Sequence, residues 1–207
     1  MQELKGSFVA LVTPMKSNGE IDFPALKELV EWHIESGTHG LVSVGTTGES
    51  ATLNFNDHVK VLEKTISYID NKIVAIAGTG ANSTDEAIEL NKAASSIGYE
   101  FALSVTPYYN KPNQLGLEAH YKKIADSSVI KNILYNVPSR TACDLEPETV
   151  NKLIHHENIV GIKEAVDDPK RYKALIKMAK NSSEPFYVLS GDDPTYFEFM
   201  KSGGDGV

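Results

Sequence analysis

The feature that most restricts the fold of this chain is an alternation of two patterns. Short apolar runs recur every few tens of residues, and a segment of helical period follows each one. The runs read SFVALVT, GLVSVG, KIVAIAG, EFALSVT, NILYNV, NIVGIK and FYVLSG, starting at residues 7, 40, 72, 100, 132, 158 and 186. Near-continuous Val, Ile and Leu, rather than strict alternation, suits parallel strands covered on both faces. Seven alternating βα units fit either a doubly wound sheet or a (β/α)8 barrel. The final DGV, residues 205–207, reads as the first residues of an eighth strand.

The helices carry their own start signals. Asp22 precedes a face of Leu26, Leu29, Val30 and Ile34, and Gly37 follows as a stop. Asn54 can cap the next helix, and Ser83 with Glu86 forms an S-x-x-E capping box. Asp168-Pro169 and Asp193-Pro194 both predict an N-cap followed by proline at the first helical position.

Composition excludes several classes of partner. Net charge is −8, from 20 Lys+Arg against 28 Asp+Glu, without a basic cluster, which argues against nucleic acid and anionic membrane. No apolar run approaches the roughly 20 residues of a membrane helix, and the N-terminus lacks the apolar core of a signal peptide. Cys143 is the only cysteine, so no intrachain disulfide is expected, which suits a reducing cytoplasm.

Polar residues gather where the strands end. Gly45-Thr46-Thr47-Gly48-Glu49 ends the second run, Gly78-Thr79-Gly80 the third and Pro107-Tyr108-Tyr109 the fourth. Tyr135 and Lys163 end the fifth and sixth, and Gly191-Asp192-Asp193 the seventh. Parallel α/β folds bind ligands at that edge. Glycines and small polar residues end strands in any protein, so one such ending means little, whereas six point to a site.

Lys163 stands out among them. Period-2 alternation in IVGIKEA puts Ile159, Gly161 and Lys163 on one face, which in a barrel would point inward with Gly161 leaving room beside the lysine. A desolvated lysine has a lowered pKa, and its neutral amine attacks carbonyls to give a Schiff base. A lysine at a strand end is more commonly just solvated. Tyr135 shares a face with Ile133 and Val137, and its phenol can pass a proton to an adjacent amine; a core tyrosine with a satisfied hydroxyl is the plainer reading. Arg140, in the loop beyond, can grip a carboxylate bidentately or can be an ordinary surface arginine.

Rival motifs are weak. GTGANS, residues 78–83, follows a strand but has serine for the third glycine of a dinucleotide loop. None of the six histidines has zinc-site spacing, and no metal is expected.

GTTGES, PYYNKP, YNVPSRT and GIKEA, in this order and at these separations, resemble the dihydrodipicolinate synthases. That family belongs to the pyruvate-dependent class I aldolase superfamily, with N-acetylneuraminate lyase. The likeness runs from GSFVALVTP to GGDGV, and the SRT after the proline sets the chain apart from the sialic-acid lyases. It implies a (β/α)8 TIM barrel, truncated here at the start of the eighth strand because a whole barrel takes about 250 residues. Residues 1–207 are then one incomplete barrel domain, without the family's C-terminal helical region and without a backbone carbonyl that contacts pyruvate just beyond Val207. Activity is accordingly expected of a complete enzyme rather than of residues 1–207 alone, and the strands flanking the gap are expected to have unpaired edges that invite aggregation.

The implied activity is that of a carbon–oxygen lyase. It condenses pyruvate with aspartate semialdehyde on the diaminopimelate route to lysine, in the cytoplasm and without a cofactor. Lys163 would form the imine, and Tyr135 would move protons in a relay with Thr46 and Tyr109, the latter reaching into a neighbouring subunit. Thr47 would hold the pyruvate carboxylate, Arg140 the second substrate's carboxylate, and Gly191 would complete the substrate site. The protein would be a homo-oligomer, a dimer at least and by resemblance a tetramer. Lysine would bind as an effector at Ser50, Ala51, Leu53, His58, Asn82, Glu86 and Tyr108. Phe55, where enteric members have histidine, predicts weakened inhibition; Asp57, for the family's frequent glutamate, is a conservative change.

Overall fold

The computed structural model describes residues 2–207. Seven strands form one parallel sheet in sequence order: β1 (Phe8–Ala10), β2 (Gly40–Ser43), β3 (Val74–Gly78), β4 (Phe101–Val105), β5 (Lys131–Asn136), β6 (Ile159–Glu164) and β7 (Tyr187–Ser190). The helices are α1 (Phe23–Glu35), α2 (Phe55–Ile69), α3 (Thr84–Ile97), α4 (Gln114–Asp126), α5 (Pro138–Thr141), α6 (Pro147–Leu153), α7 (Pro169–Lys180) and α8 (Tyr196–Lys201). Strict sequence order in a parallel sheet means every crossover runs the same way, so the sheet curls on itself as a (β/α)8 barrel does.

Both faces of the sheet are buried, which explains the near-continuous apolar runs. Val42, Ile76, Leu103, Ile133, Tyr135 and Leu189 meet in the interior of the curl. Their alternates, such as Leu41, Ala77, Ala102, Leu134 and Val188, pack outward beneath the helices. On α2 the buried residues His58, Val61, Leu62, Thr65 and Ile69 recur at helical spacing. Each such leucine, isoleucine or valine contributes roughly 1.5–3 kcal/mol by leaving water. No helix among the described residues is long and apolar enough to cross a membrane.

Most of the capping signals act as read. Asp22 accepts from the Ala25 amide, Asn54 from Asp57 and Asp168 from Lys170. Of the capping box, the half seen is Ser83 Oγ accepting from the Glu86 amide at 3.4 Å. The Asp193-Pro194 start is corrected: α8 begins at Tyr196, after Thr195. Asp192 makes the turn instead, with Oδ2 accepting from the Thr195 hydroxyl at 2.5 Å and its amide at 3.2 Å. Asp193 keeps its carboxylate for other company.

Residues 205–207 occupy the place of an eighth strand. Gly206 bridges in parallel to both Leu189 and Gly6. The Ser190 amide donates to the Gly206 carbonyl at 2.8 Å, and on the other side Phe8 donates to Val207 at 2.6 Å and Val207 to Gly6 at 2.9 Å. The expectation of unpaired edges is therefore corrected for the start of the seam: between β7 and the segment leading into β1, three residues suffice to close the ladder.

Candidate active site

The polar strand ends assemble on one edge, as the alternation of elements requires. Tyr135 and Lys163 are register partners on β5 and β6. The Lys163 ammonium nitrogen lies 4.9 Å from the centre of the Tyr135 ring, inside the curl. Burial pushes the Lys163 pKa down, and the charge of Asp193 opposes this only in part. Burial also pushes the Tyr135 phenol up, while the nearby Thr46 hydroxyl and the Arg140 charge pull it back. Attack on a carbonyl needs a neutral amine with a proton donor beside it, and both shifts run in that direction.

Lys163 points inward because of a β-bulge. Asn132 pairs with Ile159 and Ile133 with Gly161, so Val160 is an extra residue on β6. Ile159 and Ile162 pack outward, whereas Val160 joins the interior. Ile159 thus does not share a face with Lys163: the bulge reverses the alternation between them, and without it Lys163 would face the helices. The room beside the lysine also has another origin than Gly161. A Cβ on Gly161 would lie 2.6 Å from the Tyr187 carbonyl oxygen, so that glycine admits the backbone of β7. A Cβ on Gly191 would come within 3.1 Å of Lys163 Cε and 3.0 Å of Ala165 Cβ. Gly191 is the residue that leaves space for the lysine.

The loop after β2 is made by strained backbone. Val44, though β-branched, has φ +52°, and Glu49 has φ +60°. A Cβ on Gly78 would lie 2.2 Å from the Val44 carbonyl, so glycine at the end of β3 lets Val44 turn. The turn leaves Thr46 and Thr47 exposed. Thr46 and Arg140 line one cleft of about 320 Å³ with Glu49, Ser50, Ala51 and Tyr108. Arg140 sits on the short α5 rather than in an open loop, because Pro138 starts a helical turn that Ala142 ends at φ +54°.

Tyr109 stands apart from this group. It has φ +73° and is 89% exposed, projecting from the chain instead of packing on Tyr135. The expected effector residues also divide. Ser50, Ala51 and Tyr108 line the cleft, and Asn82 and Glu86 lie close enough to Tyr108 to alter its phenol. Leu53 packs against the α1–α2 layer, and His58 is buried with Nε2 bonded to the Gly78 carbonyl at 2.7 Å. Glu49, in the cleft, and Asp193, facing Lys163, are among the polar strand ends noted in the sequence but were given no role at the site, and Glu164, behind the lysine, was not singled out. GDD after the seventh run and the acid following the lysine were the available signals.

A parallel, barrel-type α/β sheet with a half-buried lysine beside a buried tyrosine at the C-terminal edge defines the class. The chain belongs to the dihydrodipicolinate synthetase family, whose sequence pattern it matches over residues 3–207. It is 52% identical over 204 residues to the 4-hydroxy-tetrahydrodipicolinate synthase of Shewanella sp. (strain MR-4), covering 99% of this chain and 68% of that one. Its fold superimposes, with a TM-score of 0.95 and 51% identity, on dihydrodipicolinate synthase from Acinetobacter baumannii complexed with pyruvate, covering 99% and 69% of the two chains. The lysine-bound enzyme of Cyanidioschyzon merolae matches at 36% identity and a TM-score of 0.92, covering 100% and 70%.

Proposed function

We propose that this protein is a lyase that condenses pyruvate with L-aspartate 4-semialdehyde to 4-hydroxy-tetrahydrodipicolinate through an imine on Lys163. The observation that carries this reading is the desolvated Lys163 amine held 4.9 Å from the Tyr135 ring, with Gly191 clearing its path. The neutral amine adds to the pyruvate carbonyl, and loss of water gives the imine. The imine then draws electrons from C3, so that carbon can attack the aldehyde. Tyr135 moves the protons, with Thr46 beside it and Tyr109 supplied by a second copy of the chain. Thr47 binds the pyruvate carboxylate and Arg140 that of the semialdehyde. The reaction belongs to lysine biosynthesis in the cytoplasm, and the working form is an oligomer.

Borohydride added in the presence of pyruvate should reduce the imine and leave a pyruvate-derived mass on the peptide containing Lys163. Adduct on another lysine, or none, refutes the assignment. Lysine is the proposed effector, bound near Asn82, Glu86 and Tyr108. With Phe55 lacking a polar contact, inhibition should be weaker than in enteric relatives by a few-fold to about tenfold, one hydrogen bond's worth. An activity titration that shows no effect at high millimolar lysine removes the effector site.

A further inference from the structure

Behind the inward pair Tyr135–Lys163 lies a second pair on the outer face of the same strands. Asn136 and Glu164 are the next register partners. Asn136 Nδ2 donates to the two Glu164 carboxylate oxygens at 3.0 and 3.2 Å. Glu164 is 2% exposed. It also accepts from Arg171 Nε at 2.8 Å and from the Val166 amide at 3.0 Å. Arg171, on α7, forks onto both oxygens of Asp144 at 2.9 and 2.8 Å and reaches the Leu145 carbonyl. Asn136 closes the circuit, donating to Asp144 at 2.9 Å and accepting from the Leu145 amide at 2.9 Å.

Stability alone is a poor reason for such a cluster, because apolar side chains of similar volume commonly serve a buried site as well. Its placement is more informative. Asn136 directly follows Tyr135, and Glu164 directly follows Lys163. Asp144 and Leu145 follow the turn that ends α5, the element carrying Arg140. The cluster ties together the three segments that hold the proposed reacting and binding groups.

We propose that Asn136, Glu164, Arg171 and Asp144 are a positioning network that fixes Lys163 against Tyr135 and sets the charge behind the lysine. This rests on the reading of Lys163 as the imine-forming residue. Burial pushes the Glu164 carboxyl up, and its hydrogen-bond neighbours Arg171, Asn136 and the Val166 amide, all donors to its oxygens, pull it back in part, the surroundings that suit an ionised carboxylate. Asp193, from the loop after β7, acts on Lys163 directly; Tyr135 from β5 lies beside it, Arg140 from α5 acts on that tyrosine, and Glu164, Arg171 and Asp144 stand behind the strand. Neutralising Glu164 leaves Arg171 less compensated near the lysine. That favours the neutral amine, so imine formation should extend to lower pH.

The test is the initial rate of borohydride-trapped pyruvate on Lys163 against pH, in the full chain and its variants. Glu164→Gln should move the acid midpoint down by about one pH unit, and Asp144→Asn by less, in the same direction. The double variant Glu164→Gln/Arg171→Gln removes one charge of each sign and should return the midpoint towards wild type. Arg171→Lys should keep the midpoint and slow the rate. A merely structural cluster would slow all four at an unmoved midpoint, and that result overturns the proposal. If Glu164→Gln does not fold, Asp144→Asn, at a carboxylate 43% exposed, carries the same prediction. A wild type that traps no pyruvate overturns the reading of Lys163 itself and this proposal with it, a failure distinct from unmoved midpoints.

Discussion

Around Lys163 and Tyr135 the chain stays on its strands, whereas around Thr46, Thr47 and Tyr109 it has left them and turned through left-handed backbone. On the first side Tyr135 is buried, Lys163 half-buried, and both are held in ladder register with a polar cluster behind them. On the second, Val44, Glu49, Tyr109 and Lys111 all have positive φ, and the hydroxyl-bearing residues are exposed. Non-glycine residues in that region cost on the order of 1–3 kcal/mol each. The difference matches the work required of each side. In the proposed mechanism a reacting amine needs shielding and a fixed position, which a strand provides; groups proposed to meet a ligand or a second subunit need to stand clear of their own chain.

Breaking the strand side should have the largest effect. Lys163→Met removes the nucleophile, and both the pyruvate adduct and turnover should vanish. Thermal stability should hold or rise, because a desolvated amine gives way to an apolar chain of similar length. In the wild type the amine reacts only when neutral, so the trapping rate should climb with pH and level off below the ordinary lysine value of 10.5. A plateau at or above that value means Lys163 is solvated. Tyr135→Phe should lower turnover by about 10²–10⁴-fold, the usual worth of a placed proton donor; a loss under tenfold assigns the proton to another group.

Smaller changes sharpen the contrast. Gly191→Ala pushes a methyl against Lys163 Cε and should slow imine formation by about ten- to a hundredfold with little loss of fold, as displacement of a reacting group by about an ångström does. Steady rates in that variant would mean the lysine reaches its position by another path. On the loop side, Glu49→Gly relieves an exposed left-handed residue and should raise stability by about 1 kcal/mol, some 2–4 °C in the melting midpoint. An unchanged or lower midpoint would show that Glu49 is held by a contact worth more than its strain.

The strands and most caps were legible in the sequence because they rest on local chemistry: runs of Val and Ile, and a carboxylate, amide or hydroxyl three residues ahead of an open amide. Which side chain each strand turns inward was less legible. Alternation linked Gly161 to Lys163 correctly but misplaced Ile159, since the bulge at Val160 arises from register with β5. The start of α8 moved for a similar reason, two adjacent aspartates offering equal chemistry to one turn. Asn136 and Glu164 carry no signal of their own in the sequence, and only the approach of Arg171, from a helix later in the chain, makes them a cluster. Thr46, Tyr135, Lys163, Arg140 and Gly191 were each named from the sequence, and the fold brings them to one edge; Tyr109, expected to serve a neighbour's site, stands exposed.

The three-residue seam at Gly206 bears on how the chain reaches this state. Gly6 and Asp205 are hydrogen-bonded at 3.0 Å although nearly all of the described sequence lies between them. All other neighbouring strands are joined by a single crossover and can pair as soon as the next unit is made. Residues 6–8 must wait on a ribosome until residues 205–207 have emerged, and each doubling of the enclosed length adds only about 0.6 kcal/mol to closing the loop. The delay is therefore one of time rather than equilibrium. Among the described strands, pairing should advance unit by unit from β1–β2 onward, with residues 6–8 joining 205–207 after the seven strands have paired and their backbone amides the first in the sheet to exchange with solvent.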